Sequence, residues 1–429
     1  MGTIVLWIVM GCAVLGALAA IRDPNRGLGR EFMQGLESIG PIFLPVAGIM
    51  ASIPFLMMGI KGLFGPIFGL VGADPAMAAT TFIAVDMGGY QLAKELANPI
   101  DAQSTGNWIM AMIVGYMAGA TIIFSIPVGL AMLEQRDQKY MALGIMSGIL
   151  SIPIGVATSS IIIALQMPLV RGEISTADPA SAELLLTFPQ LVFNLVPLIL
   201  FVVLLALGLR FIPDAMIRIF MIFGRGLDAA IKLVLVATIV ETFTGVFSAT
   251  IGWWGFNPII EHDGELDALE IAGYIGLMLT GAFPMVYLIQ KFLARPMESI
   301  GQRLGLEGAG AAGLLATLAN ILAMFRLVKD MRPKDKVLNI AFAVCAAFMF
   351  GDHLAFTVNF QPTLVSPILL GKLAGGCCGF ALAYWLSVPK TIELEQLDNA
   401  EQTRKSDESV DAEPPTIAKV MDSSNPTES

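Results

Sequence analysis

Apolar residues fall in long runs separated by polar clusters. Runs long enough to cross a bilayer, about 20 residues each, occur near 3–21, 41–60, 107–131, 140–165, 187–209, 231–252, 269–290, 337–355 and 364–388. They predict nine transmembrane helices. Prolines within them, such as Pro54, Pro127, Pro153, Pro197 and Pro284, are tolerated where neighbouring helices satisfy the freed carbonyls. Two further runs, 76–97 and 309–331, are interrupted by polar residues and glycine. The first reaches a carboxylate, Asp86, then Gly88 and Gly89, and turns polar within a few residues. An arm of about ten helical residues is roughly 15 Å long, half of a hydrocarbon core of roughly 30 Å. Both segments are therefore expected to be re-entrant hairpins.

Loop charges support that topology. With the N-terminus outside and both hairpins returning to their side of entry, the inside loops hold seventeen Lys and Arg, and the outside loops hold Lys61, Lys94 and Arg171. The loop from Asn257 to Glu270 adds five acidic residues and no basic one. The positive-inside rule then places the C-terminus on the cytoplasmic side.

An internal repeat agrees with this arrangement. Pro54, Lys61 and Pro66 recur as Pro284, Lys291 and Pro296, displaced by 230. Lys94 and Glu95 recur as Lys329 and Asp330, displaced by 235, and Gly119, Phe124, Ala142 and Gly144 recur as Gly351, Phe356, Ala374 and Gly376, displaced by 232. The expected fold is an all-α polytopic membrane protein of about nine transmembrane helices and two re-entrant hairpins, in two inverted-topology repeats. The repeats are 1–186 and 227–389, joined by a span and an amphipathic segment at 187–226 and followed by a tail at 390–429. Inverted repeats are the plan of many secondary transporters, whose sites lie near the midplane at interrupted helices.

Composition bears this out and removes other classes. The 429 residues are 56% hydrophobic and 14% charged, more apolar surface than a soluble core can hold. The net charge of −10 comes mostly from residues 391–429, with ten acidic residues against Arg404, Lys405 and Lys419. That tail, rich in Ser, Pro and acids, reads as disordered and cytoplasmic. No basic stripe with interleaved aromatics points to nucleic acid. Cys12, Cys345, Cys377 and Cys378 lie in apolar runs without CxxC spacing, so they read as buried thiols, with no disulfide, metal site or cofactor expected. The run at 3–21 lacks a charged n-region and a small-residue cleavage pattern, and reads as a retained first span. HExxH, GxSxG and Walker patterns are missing, and His262 and His353 are the two histidines, so no catalytic set is predicted.

Candidate binding residues sit where the runs break. At an offset of 234, Asp86 falls on Asn320, so the two hairpin tips are expected to meet. A carboxylate at mid-bilayer is costly and faces a partner or a watery cavity. Asp86 is thus read as a counter-charge for a cation, with Lys94 as the competing structural partner. Gly88 and Gly89 allow a tight tip. Asp352 and His353, in GDHLAF, supply a further carboxylate and a proton carrier, or else a polar helix end. Thr121, Ser125 and Glu241 are read as pathway or coupling residues, Glu241 also as a partner for Lys232 or Lys372. Lys372, two turns into its span, is expected to snorkel or form an ion pair.

The stretches DMGGYQLAKELA at 86, FSIPVGL at 124, SIPIG at 151, GAFPMV at 281, ATLAN at 316 and GDHLAF at 351 resemble the EutH-type ethanolamine permeases over roughly residues 40–390. The resemblance implies an inner-membrane secondary transporter that imports ethanolamine by alternating access. Its substrate is largely cationic at neutral pH, as Lys is, and Asp86, Asp352 and Asn320 suit its charge and its alcohol. One departure lies at the second tip. The family has a second asparagine and then a proline there, and this chain has Ile321 and Ala323. The alternative within the class is an ion-coupled transporter of another small amino alcohol or polar cation, and outside it a membrane-embedded enzyme or sensor. The partners implied are ethanolamine and membrane lipids. The sequence leaves open whether sodium or protons couple transport and whether the chain forms a homo-oligomer.

Overall fold

The computed structural model describes residues 2–176, 178–260, 266–397 and 400. Among them every extended element is helical, and the one β-type pairing is an isolated bridge between Val170 and Ala182. Seven helices are long and apolar enough to cross a membrane: Ile4–Arg22, Gly27–Ala51, Ala102–Met132, Gln135–Gln166, Phe188–Phe211, Ala268–Leu293 and Pro362–Leu386.

The run at 140–165 is divided at Leu150 and Ser151 into helices Gln135–Ile149 and Ile152–Gln166 within one span, and three further runs read as continuous spans are broken. The run at 41–60 divides at Ser52, whose hydroxyl donates to Gly48 O at 2.7 Å, between helices Ile39–Ala51 and Ile53–Leu63. Pro54, in the first turn of the second helix, withholds the N–H that would continue the ladder. The loop residue Asn257 covers the break by donating its backbone N–H to Ala51 O at 2.9 Å. The run at 231–252 lies in Pro213–Thr244 and is cut by Gly245 at φ +62°. The run at 337–355 is two helices, Pro333–Ala346 and Asp352–Phe360, with an unwound link at 347–351.

Ala102–Met132 runs through the middle of the molecule and is almost wholly buried. It begins with a capping box in which Asp101 accepts from Ser104 N–H at 2.8 Å. Its central part, Gly115–Ser125, is π-helical. The short helices Ala76–Phe82 and Gly89–Ala97 form a helical hairpin packed on it. The approach is close because Gly119 has no side chain: a Cβ there would lie 2.4 Å from Ile83 O. Gly308–Ala319 and Ile321–Val328 form the second hairpin, packed against Pro333–Ala346 and Ala268–Arg303. The C-terminal tail, expected to be disordered from 390, is helical over 388–397, and 398–399 and 401–429 lie outside the described residues.

Candidate functional site

Both hairpin tips and the helix break at 347–351 present side chains to one cavity. In the first hairpin, Ile83 and Ala84 are extended, Val85–Met87 forms a single 3₁₀ turn, and Gly88 adopts φ +85° before the second arm begins. Only glycine holds that conformation cheaply. A Cβ on Gly89 would come 2.6 Å from Ala84 O, so both glycines serve to close the tip. Asp86 stands at the end of that tip. Its Oδ1 is buried and has no hydrogen-bond partner. The competing partner is engaged elsewhere, because Lys94 pairs with Glu173.

In the second hairpin Asn320 is extended, and its Oδ1 accepts from Leu322 N–H at 2.8 Å, capping the second arm. With that oxygen committed to the cap, the amide NH₂ is the end suited to a ligand oxygen. The link at 347–351 is tied to the same hairpin, Phe350 N–H donating to Leu318 O at 2.8 Å. Phe348 is forced to φ +60°, a strained conformation for a residue with a bulky side chain. The chain resumes helical structure at Asp352, whose carboxylate lies at a helix N-terminus, where the dipole favours negative charge.

Asp86, Asn320, Asp352 and His353 all line one cavity of about 460 Å³. Four of the six predicted binding residues thus come together, and Gly88 and Gly89 shape the tip behind them. His353 is buried, its ring centroid 4.7 Å from that of Tyr116 and 5.4 Å from that of Phe348, and neither ring nitrogen has a partner. Three aromatic residues that sequence reasoning did not single out, Phe124, Phe283 and Phe348, also line the cavity. Rings around a cation attract it through their negative faces. Gln34 and Glu37 reach the cavity from the helix Gly27–Glu37. The amphipathic pattern of REFMQGLE was the available signal for that helix.

The pathway candidates lie elsewhere. Thr121 donates its hydroxyl to Val344 O at 2.8 Å, and Ser125 donates to Ala120 O at 3.1 Å, so both bond to backbone beside the cavity. Glu241 accepts from Phe247 N–H at 2.8 Å and from the Ser248 hydroxyl, at the end of its own helix. It pairs with neither lysine proposed for it: Lys232 binds Asp228 at 2.7 Å, and Lys372 donates to Tyr116 O at 2.9 Å. Lys372 therefore does not snorkel. It is buried inside the protein, 1% exposed.

The sequence matches the profile of a family described as "Ethanolamine utilisation protein, EutH" over residues 1–386. The chain belongs to the EutH family. Within it, the chain is similar to the "Probable ethanolamine permease EutH" of Listeria monocytogenes serotype 1/2a, 38% identical over 384 residues that cover 90% of this chain and 94% of the relative. It is likewise similar to the protein of that name from Escherichia coli K12, 37% identical over 373 residues, 85% of this chain and 86% of the relative. The chain is also similar to the "Uncharacterized protein YxeR" of Bacillus subtilis 168, 32% identical over 392 residues, 91% of this chain and 96% of the relative. No solved structure matches this EutH chain at a significant level.

Proposed function

We propose that this chain is a multi-pass secondary transporter that carries ethanolammonium across the bacterial inner membrane by alternating access. The observation that carries the reading is the cavity, where Asp86 and Asn320 from the two hairpin tips and Phe348 and Asp352 from a helix break meet Glu37, Phe124 and Phe283 from neighbouring helices. In this reading Asp86 and Asp352 neutralise the ammonium, which must shed its hydration to enter. The aromatic rings add cation–π attraction. The Asn320 amide donates to the alcohol oxygen. EutH relatives named as ethanolamine permeases support the same substrate.

The finer topology belongs to this proposal. Both hairpins are taken as re-entrant, the halves 1–186 and 227–389 as inverted repeats, and the N-terminus as outside with the C-terminus in the cytoplasm. Supporting it, the repeat offset sets the π-helical stretch 115–125 of one half against the broken helix around 347–357 of the other. A second cavity of about 290 Å³, lined by Arg30, Glu31 and Arg326, shares Gln34, Phe283, Asn320 and Leu322 with the first. Its basic residues belong to the loops assigned to the cytoplasm, so we take the conformation as inward-facing. On the other side Gln361 donates to the Tyr90 hydroxyl at 2.7 Å and accepts from Arg171 N–H at 3.0 Å, a closed polar latch.

Uptake of labelled ethanolamine into proteoliposomes, with choline, serine and propanolamine as competitors, tests the function. Saturable uptake suppressed by unlabelled ethanolamine is expected. Stronger suppression by a competitor would move the assignment to that amine, and no saturable uptake would remove the permease reading.

A further inference from the structure

Lys372 has no part in the reading above, yet it is a buried cation close to the cavity. Its Nζ donates to Tyr116 O at 2.9 Å, and no carboxylate lies within ion-pair distance of it among the described residues. Tyr116 lies in the π-helical stretch, and its hydroxyl is 2.6 Å from that of Thr357. Asp86, Asp352 and His353 line the same cavity, and the Tyr116 ring stands 4.7 Å from that of His353, so Lys372, held on Tyr116 O, is joined to that cavity wall through Tyr116. Of the elements packed against helix Val365–Leu386, Pro333–Ala346 presents Cys345, and Asp352–Phe360 presents Asp352 and His353. Ile152–Gln166 brings no titratable group, and Asp137 of Gln135–Ile149 is already paired with Lys336.

Of the three carboxylates lining the cavity, Glu37 is exposed, which leaves two half-buried ones, Asp86 and Asp352, against the buried ammonium of Lys372. A net charge in a low-dielectric interior is strongly disfavoured. One negative charge is left to be balanced by something that comes and goes. The substrate cation can supply the balance when bound, and a proton can when it is not. Atoms able to take that proton are Asp86 Oδ1 and whichever His353 ring nitrogen bears no hydrogen, since Asp86 Oδ1 and the His353 nitrogens are buried without partners.

We infer that a proton is the second ligand of this site. Proton and substrate ammonium are alternative occupants of the charge left by Asp86 and Asp352 against Lys372, so the carrier exchanges one for the other. The proton is shared by the interacting carboxylates rather than fixed on either, and it passes to water as the ammonium N–H groups take its place. Lys372 sets the stoichiometry by cancelling one of the two negative charges. This inference rests on the ethanolamine reading and names proton over sodium as the exchanging ion.

Calorimetric titration of ethanolamine into the purified full chain near neutral pH, in buffers of different ionisation heat, counts the protons. Release of about one proton per ethanolamine bound is expected. Asp352→Asn leaves Asp86 already balanced by Lys372, so ethanolamine affinity falls by about tenfold or more. Adding Lys372→Met to that variant restores the uncompensated charge, and with it affinity and proton release. Ethanolamine binding with no proton released by the unaltered protein overturns the inference and leaves the permease reading standing. A folded double variant that binds no better than Asp352→Asn also overturns it. Absence of any ethanolamine binding is a different result, because it removes the functional reading itself.

Discussion

Replacing Asp86 with asparagine keeps the shape of the first hairpin tip and removes its charge. The carboxylate is held by the fold through its backbone: the tip closes with Gly89 N–H donating to Ala84 O at 3.1 Å, and the side-chain Oδ1 makes no bond within the protein. An amide in its place keeps an oxygen that can accept from the residue's own backbone N–H, and the unfolding temperature is expected to stay within about 3 °C of the original. The substrate loses far more. Removing one partner of a buried charge pair costs about 3–5 kcal/mol. Asp352 shares the same cavity and retains part of the attraction, so the lower figure applies. About 3 kcal/mol corresponds to a loss of roughly 100-fold in affinity. Labelled ethanolamine uptake into proteoliposomes, measured beside a thermal unfolding curve of the same preparation, reads both quantities. Uptake within about twofold of the original would refute the counter-charge role. A large fall in unfolding temperature would instead make Asp86 a structural residue.

Lys336 and Asp137 form a buried ion pair at 2.5 Å, and Lys336→Met is expected to destabilise the protein by about 3–5 kcal/mol by leaving a buried carboxylate alone. Adding Asp137→Leu should recover most of that loss, as read by denaturant unfolding in detergent. Gly119→Val drives side-chain atoms onto Ile83 O, only 2.4 Å from the Cβ position, and should abolish uptake by displacing the first hairpin. Gly11→Ala, with open space around it, should leave uptake unchanged. Phe348→Gly relieves the positive φ of a strained residue, so stability should hold or rise. Ethanolamine affinity should fall severalfold, by the roughly 0.5–2 kcal/mol of a cation–π contact. A parallel fall in stability would assign the ring to packing.

Much of the candidate site was legible because its residues violate the pattern around them. Asp86, Gly88 and Gly89 end an apolar run, Asn320 sits at the matching offset, and Asp352 with His353 interrupts another run. Each is a local event in sequence. The break at 347–351 was not legible in position, because CAAFMFG continues the apolar run and the residue that turns the chain is Phe348, a poor candidate for φ +60°. Tertiary bonds place it: Phe348 N–H and Phe350 N–H donate to Thr317 O and Leu318 O, near the end of the first arm of the second hairpin. The π-helical stretch GYMAGATIIFS carries no local signal either. Lys372 was misread for a related reason. Its distance from a span end suggests snorkelling, whereas its partner is a backbone carbonyl 256 positions earlier in the chain.

These breaks also explain why the cavity can be polar inside an apolar protein. Every interrupted helix frees backbone groups that lipid cannot satisfy, and here the interruptions satisfy one another. Leu318 O and Thr317 O take donors from the broken helix, Val344 O takes the Thr121 hydroxyl, and Tyr116 O takes Lys372. The Asn320 oxygen is spent on its own cap. Backbone and hydroxyl groups thus close the structure, while Asp86 Oδ1 and the His353 nitrogens remain without protein partners. A side chain that the fold uses for its own closure cannot be given up to a ligand at low cost. Those left over can, and for that reason substitution at Asp86 should register in binding before it registers in folding.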